Sequence, residues 1–342
     1  MSESAIDAPP PPSGCDHFSK SVDPEVWWRA HFVDAAGAIV DFFAGDGISL
    51  EDKRIADVGC GDGIIDLGVA VRAKPEQLVG FDILDNDVDL LQRRAAQHAG
   101  IETLPPNLYF STSETTRLPA EDDSFDYVIS WSAFEHIDDP VAVLREIRRI
   151  LRPMGVLFIQ LWPFYDSAHG THLVDWFPEG FAQYRYDNAE ILRRVRSTGS
   201  QDMASEMLEV YRTLNGITAD GLQDALRQAG FRIVKVALDS EAVHIPVEAA
   251  HLPLSQVAIS GIKLLAIAED DEAGASAASD GGAASDGAGP AGTAGAGPAG
   301  TESAGAESAG SAMDGAVTGA ARAQVGQTGA ESDEAEGGEL AV

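Results

Sequence analysis

The chain has 342 residues, a formal net charge of −32 and two cysteines, and no run of about 18 uncharged apolar residues that would span a bilayer. The length allows one large or two ordinary domains, but composition leaves room for one. Residues 269–342 are almost entirely Ala, Gly, Ser, Asp, Glu, Thr and Pro, lack any aromatic side chain and carry 14 acids against the single base Arg322. Such a segment buries too little apolar surface to offset its ordering entropy and is expected to be a disordered acidic tail. Residues 1–20, with the run Pro9 to Pro12, are expected to be a disordered leader without the features of a secretory signal. Residues 21–268 remain acidic, which weighs against a nucleic-acid partner. Cys15 and Cys60, in the leader and in a glycine turn, are poor candidates for a disulfide, and a reducing cytoplasm is the simplest setting.

Residues 24–43 read as an amphipathic helix, with Pro24 at its start and Trp27, Ala30, Phe32, Val33, Ala36, Ile39, Val40 and Phe43 on an apolar face. Within it the Trp27-Trp28 pair serves either as packing on a sheet or as a lid. Residues 53–58 read as a strand that runs through Asp57 into Gly59, Gly61 and Gly63, and residues 64–72 as the helix that follows. A bare turn at a helix N-terminus lets a nucleotide-like ligand reach the main chain. The spacing Gly-x-Gly-x-Gly differs from the dinucleotide pattern, and the acid Asp57 suits an amino group or a sulfonium cation better than a pyrophosphate. A second strand over 77–81 ends at Asp82, a helix covers 85–98, and strands follow at 107–110 and 126–131. Asp139-Pro140 opens a helix whose buried face is Val141, Leu144, Ile147 and Leu151. Its Arg145, Arg148, Arg149 and Arg152 read as a mostly solvated face. Arg152-Pro-Met-Gly155 then turns into a fifth strand over 156–161.

Five blocks of this stretch, Asp57-Val-Gly-Cys-Gly-Asp-Gly63, Gly80-Phe-Asp82, Leu118 to Asp126, Phe134-Glu-His-Ile-Asp-Asp-Pro140 and Leu144 to Gly155, stand in a characteristic order. Together they resemble the class I S-adenosylmethionine-dependent methyltransferases, in the branch with the type 11 methyltransferase domain. The resemblance implies a Rossmann-like, doubly wound α/β fold of seven strands, mostly parallel, with the last strand antiparallel. It implies that S-adenosyl-L-methionine binds at Asp57, Gly59, Cys60, Gly61 and Gly63. Asp82 would hold the ribose hydroxyls with Ile83 beside it, Glu114 and Thr115 would reach the adenine, and Ser130 and Trp131 would line the methionine side. Met154 stands where the family usually has glycine, which bears on turn geometry. The segment after strand four lacks the Asp/Asn-Pro-Pro-Tyr/Phe signature of many amino-directed members, so methylation of a planar nitrogen is disfavoured.

Residues 162–200 read as an insertion that covers the substrate. Its first part is dense in Trp162, Phe164, Tyr165, His169, His172, Asp175, Trp176, Phe177, Phe181, Tyr184 and Tyr186. About half of these aromatics are expected to be the insertion's own core, and Trp162, Tyr165, His169 and Asp175 are assigned to the substrate. Helices are expected at 188–198, 203–214 and 218–229, and strands at 231–238 and 259–267.

A hydroxyl acceptor must lose a proton, and histidine is the natural base near neutral pH. His172, oriented by Asp175, and His136 are the candidates, although the resemblance also allows Glu135 and His136 to be scaffold. His169, His172 and Asp175 as metal ligands are the weaker alternative, so no metal is expected. The expected activity is O-methylation of a hydroxyl on a sugar, glycan or other small metabolite. A C- or N-methyltransferase of a lipid-like or quinone-like metabolite and a non-catalytic cofactor-binding scaffold are the alternatives. Oligomeric state is not legible.

Overall fold

In a computed structural model, residues 23–197, 201–240 and 242–268 are described, all within one compact unit. The expected leader and tail lie outside the described residues. Seven strands form one sheet: β1 (Arg54–Val58), β2 (Gln77–Asp82), β3 (Leu108–Thr112), β4 (Phe125–Trp131), β5 (Leu151–Leu161), β6 (Phe231–Ser240) and β7 (Ile259–Ala268). Their order is β3-β2-β1-β4-β5-β7-β6. Strands β1 to β5 run parallel, and β7 is antiparallel to both β5 and β6. The chain winds outward from β1 in one direction and resumes at β4 in the other, so a crevice opens at the carboxyl ends of β1 and β4.

Both sheet faces are covered, as the unbroken apolar runs of the central strands require. On β4 and β5 successive residues point to opposite faces: Val128, Leu157 and Ile159 meet one core while Ile129 and Phe158 meet the other. The first core packs Leu144 and Ile147 of α5 (Pro140–Ile150) with Leu222 and Leu226 of α9 (Ala219–Gln228). The second packs Ile39 and Phe43 of α2 (Ala36–Ala44) with Ile65 and Val69 of α3 (Ile64–Ala73). The remaining helices are α1 (Pro24–Trp28), α4 (Val88–Ala99), α6 (Ala182–Arg185), α7 (Asn188–Ser197), α8 (Gln201–Thr213) and α10 (Leu254–Ala258). No helix among the described residues is long and apolar enough to cross a membrane.

Three local expectations are corrected. The first helix is not uniform: a π-helical stretch, Arg29–Ala35, separates α1 from α2. The wide turn lays the Phe32 carbonyl and the Ala36 side chain onto Gly68 of α3, where any Cβ would stand 2.7 and 2.5 Å from them. Strand β5 begins at Leu151, five residues earlier than expected, because Leu151 already pairs with Phe125 before the register shifts. Met154 then takes φ +60°, the conformation that explains glycine at this place in related chains. Finally, Arg149 is not on a solvated face. It donates to Glu146, Asp122 and the carbonyls of Ala120 and Leu118, while buried Glu146 accepts from the Leu118 N–H, so the pair fixes the loop between β3 and β4.

Candidate active site

Strand β1 delivers Asp57 to the crevice, and the glycine turn then bends sharply into α3. Gly59 has φ +81°, and a Cβ there would lie 2.4 Å from that of Ala133 in the loop after β4. Gly61 also has positive φ, but a Cβ on it would meet nothing within 4 Å. The first glycine is thus required by packing. The second keeps bare main chain facing open space, where a ligand can reach it. Asp82, at the end of β2, accepts the Gly61 N–H at 2.9 Å through Oδ2 and the Leu84 N–H at 3.0 Å through Oδ1. Asn86 Nδ2 donates to the Gly61 carbonyl at 2.9 Å, so the turn is held from both sides. A carboxylate accepts about four hydrogen bonds, which leaves Asp82 capacity for two ribose hydroxyls.

Asp57 is 2% exposed and Asp66, on α3, is wholly buried beside it. Burial pushes the Asp57 carboxyl up to about 7, and a hydrogen bond from Asp66 moderates the rise. Asp66 is itself raised, first by burial and then by the charge of Asp57. Asp66 thus holds its proton where Asp57 ionises first, and the pair presents at most one negative charge to a cationic ligand. Sequence reasoning named Asp57 and missed Asp66, whose only signal was an acid inside an otherwise apolar helix turn.

The other cofactor candidates divide. Cys60 is buried against Gly80, where a Cβ would stand 2.8 Å from its sulfur. Ile83 is exposed just past Asp82. Glu114 and Thr115 are exposed in the loop after β3, and Glu114 lines an open depression of about 560 Å³ with Thr112, Ser113 and Arg117. Ser130 is fully buried and donates to the Val58 carbonyl at 2.8 Å, which clamps β4 to β1. Trp131 packs against the α2 core, stacked on Phe158. Trp27 and Trp28 part company: Trp28 is buried against Phe32 and His98, while Trp27 Nε1 donates to Asp62 Oδ2 in the turn at 2.9 Å.

Beyond β4, a short 3-10 turn, Phe134–His136, is fixed at both ends. Phe134 is wholly buried, and Asn215 Nδ2 donates to the carbonyls of Phe134 and Ile137, both at 2.7 Å. This frame drives Glu135 inward to 2% exposure, and neither of its carboxyl oxygens has a hydrogen-bond partner. Burial pushes the Glu135 carboxyl up to about 8. His136 Nδ1 lies 2.8 Å from Thr213 Oγ1, and its ring centroid is 5.6 Å from that of His172 in the insertion. Burial pushes His136 down to about 4, and burial together with the charge of His136 pushes His172 down to about 3.

The structure therefore brings the two histidine candidates together with Glu135. It does not bring Asp175 to them: Asp175 is exposed, and no hydrogen bond joins it to His172 among the described residues. His169 closes a turn, its carbonyl accepting the His172 N–H at 2.9 Å. Trp162 lies against Gly261 of β7 and is 42% exposed. Tyr165 lines a cavity of about 430 Å³ with Leu192, Tyr211 and Asn215, beside the end of α8 that holds His136. Phe164, Phe177 and Phe181 are fully buried, but in three separate clusters: Phe164 joins the sheet core, Phe181 packs with Ala168, Ala249 and Val257, and only Phe177 sits in a core built largely by the insertion, with Leu173, Ile191 and Val195.

The family model that matches residues 28–236 is that of a methyltransferase domain. The type 11 branch named from the motifs is narrower than this match. A ubiquinone biosynthesis O-methyltransferase of Parvibaculum lavamentivorans is 28% identical over 201 residues, covering 57% of this chain and 70% of that one. One of the same name from Neisseria meningitidis serogroup A is 30% identical over 171 residues, covering 48% and 69%. Among solved structures, a methyltransferase from Aquifex aeolicus aligns with 16% identity and a TM-score of 0.41 over 72% of this chain and 99% of that one. The chain belongs to the methyltransferase domain family and is an S-adenosylmethionine-dependent methyltransferase.

Proposed function

We propose that the chain methylates a hydroxyl oxygen of a small metabolite, with Asp57, Gly61 and Asp82 holding the cofactor and the Glu135–His136–His172 cluster handling the acceptor. The observation that carries this reading is the cluster itself, buried Glu135 with the partly buried His136 and His172 gathered beyond the carboxyl end of β4. Both relatives named above are O-methyltransferases, which favours oxygen as the acceptor atom.

S-adenosylmethionine supplies a methyl group on a sulfonium, open to in-line attack. Asp57, paired with Asp66, offers one negative charge to its ammonium, and Asp82 orients the ribose. Trp27, through Asp62, braces the turn from outside. The residues near the acceptor align its oxygen, and holding the reactants in line is worth roughly 7–11 kcal/mol of barrier at best.

Basicity narrows the acceptor. His136 and His172 are neutral at physiological pH and accept a proton, but with conjugate acids near 4 and 3 they are weak bases. An aliphatic hydroxyl, with a pKa near that of water at about 15.7, is a poor match, whereas a phenol near 10 is closer. The Tyr165, Leu192 and Tyr211 walls of the nearby cavity also suit a ring. A phenolic hydroxyl is therefore favoured over the sugar or glycan that the aromatic insertion implied.

The test is a panel of phenols, catechols, sugars and glycolipids incubated with methyl-labelled S-adenosylmethionine. Label on a phenolic oxygen, lost in His136→Ala, is the expected result. Label only on nitrogen, carbon or a sugar oxygen overturns the acceptor class.

A further inference from the structure

Glu135, His136 and His172 have a feature that a proton relay does not require. Their ligating atoms all lie within 4.8 Å of one another. Both Glu135 oxygens and His172 Nε2 are buried without a hydrogen-bond partner. Leaving such groups unsatisfied in the interior costs on the order of 1–3 kcal/mol each, and more for a charge. Something positive resolves all three at once, either a proton or a cation.

The tautomer of His136 adds a lone pair to this set. Thr213 Oγ1 donates its hydrogen to the Val210 carbonyl at 2.9 Å, so toward His136 it acts as an acceptor. His136 Nδ1 therefore carries the ring proton, and Nε2 is left with a lone pair. A partner that accepts one ring N–H and leaves the second ring nitrogen with a free lone pair is the outer support that metal-bound histidines have.

We propose that Glu135, His136 and His172 bind one divalent transition-metal ion. Two imidazole nitrogens and one carboxylate oxygen suit zinc, cobalt or iron(II) and not magnesium or calcium, which take all-oxygen sites. With bonds of about 2.0–2.2 Å, ligand atoms around a tetrahedral ion stand roughly 3.3–3.6 Å apart, so the cluster contracts by at most about 1.5 Å on loading. The set differs from His169, His172 and Asp175, weighed from the sequence, because Asp175 is exposed. Three protein ligands leave a position open. A hydroxyl bound there loses its proton to water, the electron pair staying on oxygen, and the low basicity of the histidines ceases to matter. That consequence rests on the O-methylation reading, whereas metal binding does not.

The test uses the full-length untagged chain, stripped with a chelator and titrated with Co²⁺ alone while visible d–d absorption is followed, and with Zn²⁺ by calorimetry. One equivalent with nitrogen-ligand bands is expected, weakened at least tenfold in Glu135→Gln and in His172→Asn and unchanged in Asp175→Asn. Asparagine tolerates the φ of +60° at His172, so that variant keeps the loop even if the buried glutamine does not fold. Equal binding by wild type and His172→Asn, or no binding beyond a weak oxygen-ligand background common to all variants, overturns the proposal. Tight Co²⁺ binding without methyl transfer to any hydroxyl sinks the functional reading alone. Methyl transfer that persists in chelator sinks only the catalytic use of the ion.

Discussion

The indole N–H of Trp27 donates to Asp62 Oδ2 across 2.9 Å, tying α1 to the middle of the glycine turn. Arg94 reaches the same oxygen at 3.5 Å from α4. The glycine turn, proposed above to hold the cofactor, is thus braced by an element that precedes the sheet in sequence. Trp27→Phe keeps an aromatic ring stacked on His31 but removes the donor. S-adenosylmethionine affinity is expected to fall about three- to tenfold, corresponding to about 1 kcal/mol for one hydrogen bond. Calorimetric titration checks this, and an unchanged affinity would show that the bond is only a surface contact.

Two glycines of one turn should respond differently to alanine. Gly59→Ala combines a left-handed backbone with a Cβ 2.4 Å from Ala133, so it should lower stability by about 2–4 kcal/mol and abolish cofactor binding. Gly61→Ala meets open space and should cost only the backbone term, about 1–2 kcal/mol. Its cofactor affinity should nevertheless drop at least tenfold, because the new methyl group fills the cradle. Thermal melts with and without S-adenosylmethionine separate the two cases. Similar melting losses in both variants would contradict the packing argument for Gly59.

The sheet was legible because its signals are local: β1, the glycine turn and Asp82 follow one another within 30 residues, and the apolar runs mark strands covered on both faces. What escaped was carried by distant partners. Ser130 was expected to face the cofactor, yet its hydroxyl is taken by Val58, 72 residues away. Asp175 stands three residues from His172 on a turn that points it to solvent, while Glu135 and Thr213, from β4's far end and α8, provide the neighbours that spacing could not reveal. Asp66 was invisible for the same reason, since only the packing of α3 on β1 puts it beside Asp57.

That buried pair yields a further expectation. Asp66 acts as a hydrogen-bond donor that keeps Asp57 ionisable, so Asp66→Asn, still a donor, should bind S-adenosylmethionine within about threefold of wild type. Asp66→Leu removes the donor and leaves burial unopposed, raising Asp57 further. The cofactor's ammonium then meets a neutral acid over more of the pH range, and the affinity loss should be larger at pH 6 than at pH 8. Affinity measured at both pH values decides this. A loss in Asp66→Leu that is the same at pH 6 and pH 8 would mean that the defect is in packing.

In the metal-free protein, the Glu135 cluster also makes stability depend on pH. Glu135 keeps its proton up to about 8, whereas in the unfolded chain it gives the proton up near 4.5. The folded state therefore binds more protons between these values, and this group's contribution falls as pH rises. Asp57, raised to about 7, acts in the same direction. His136 and His172, lowered to about 4 and 3, act in the opposite direction, fully below 6.5 and fading above it as the unfolded histidines finish titrating. Between pH 6.5 and 8 the carboxyls outweigh this fading opposition, and Glu135 should contribute a loss of about 1–2 kcal/mol, or a few degrees of melting temperature. Glu135→Gln should flatten the melting profile over that window in chelator-treated protein, while leaving the Asp57 portion below pH 7 in place. Parallel profiles for the variant and the wild type would show that Glu135 is already ionised when the site is empty of metal, and that its neighbours stabilise the charge without help.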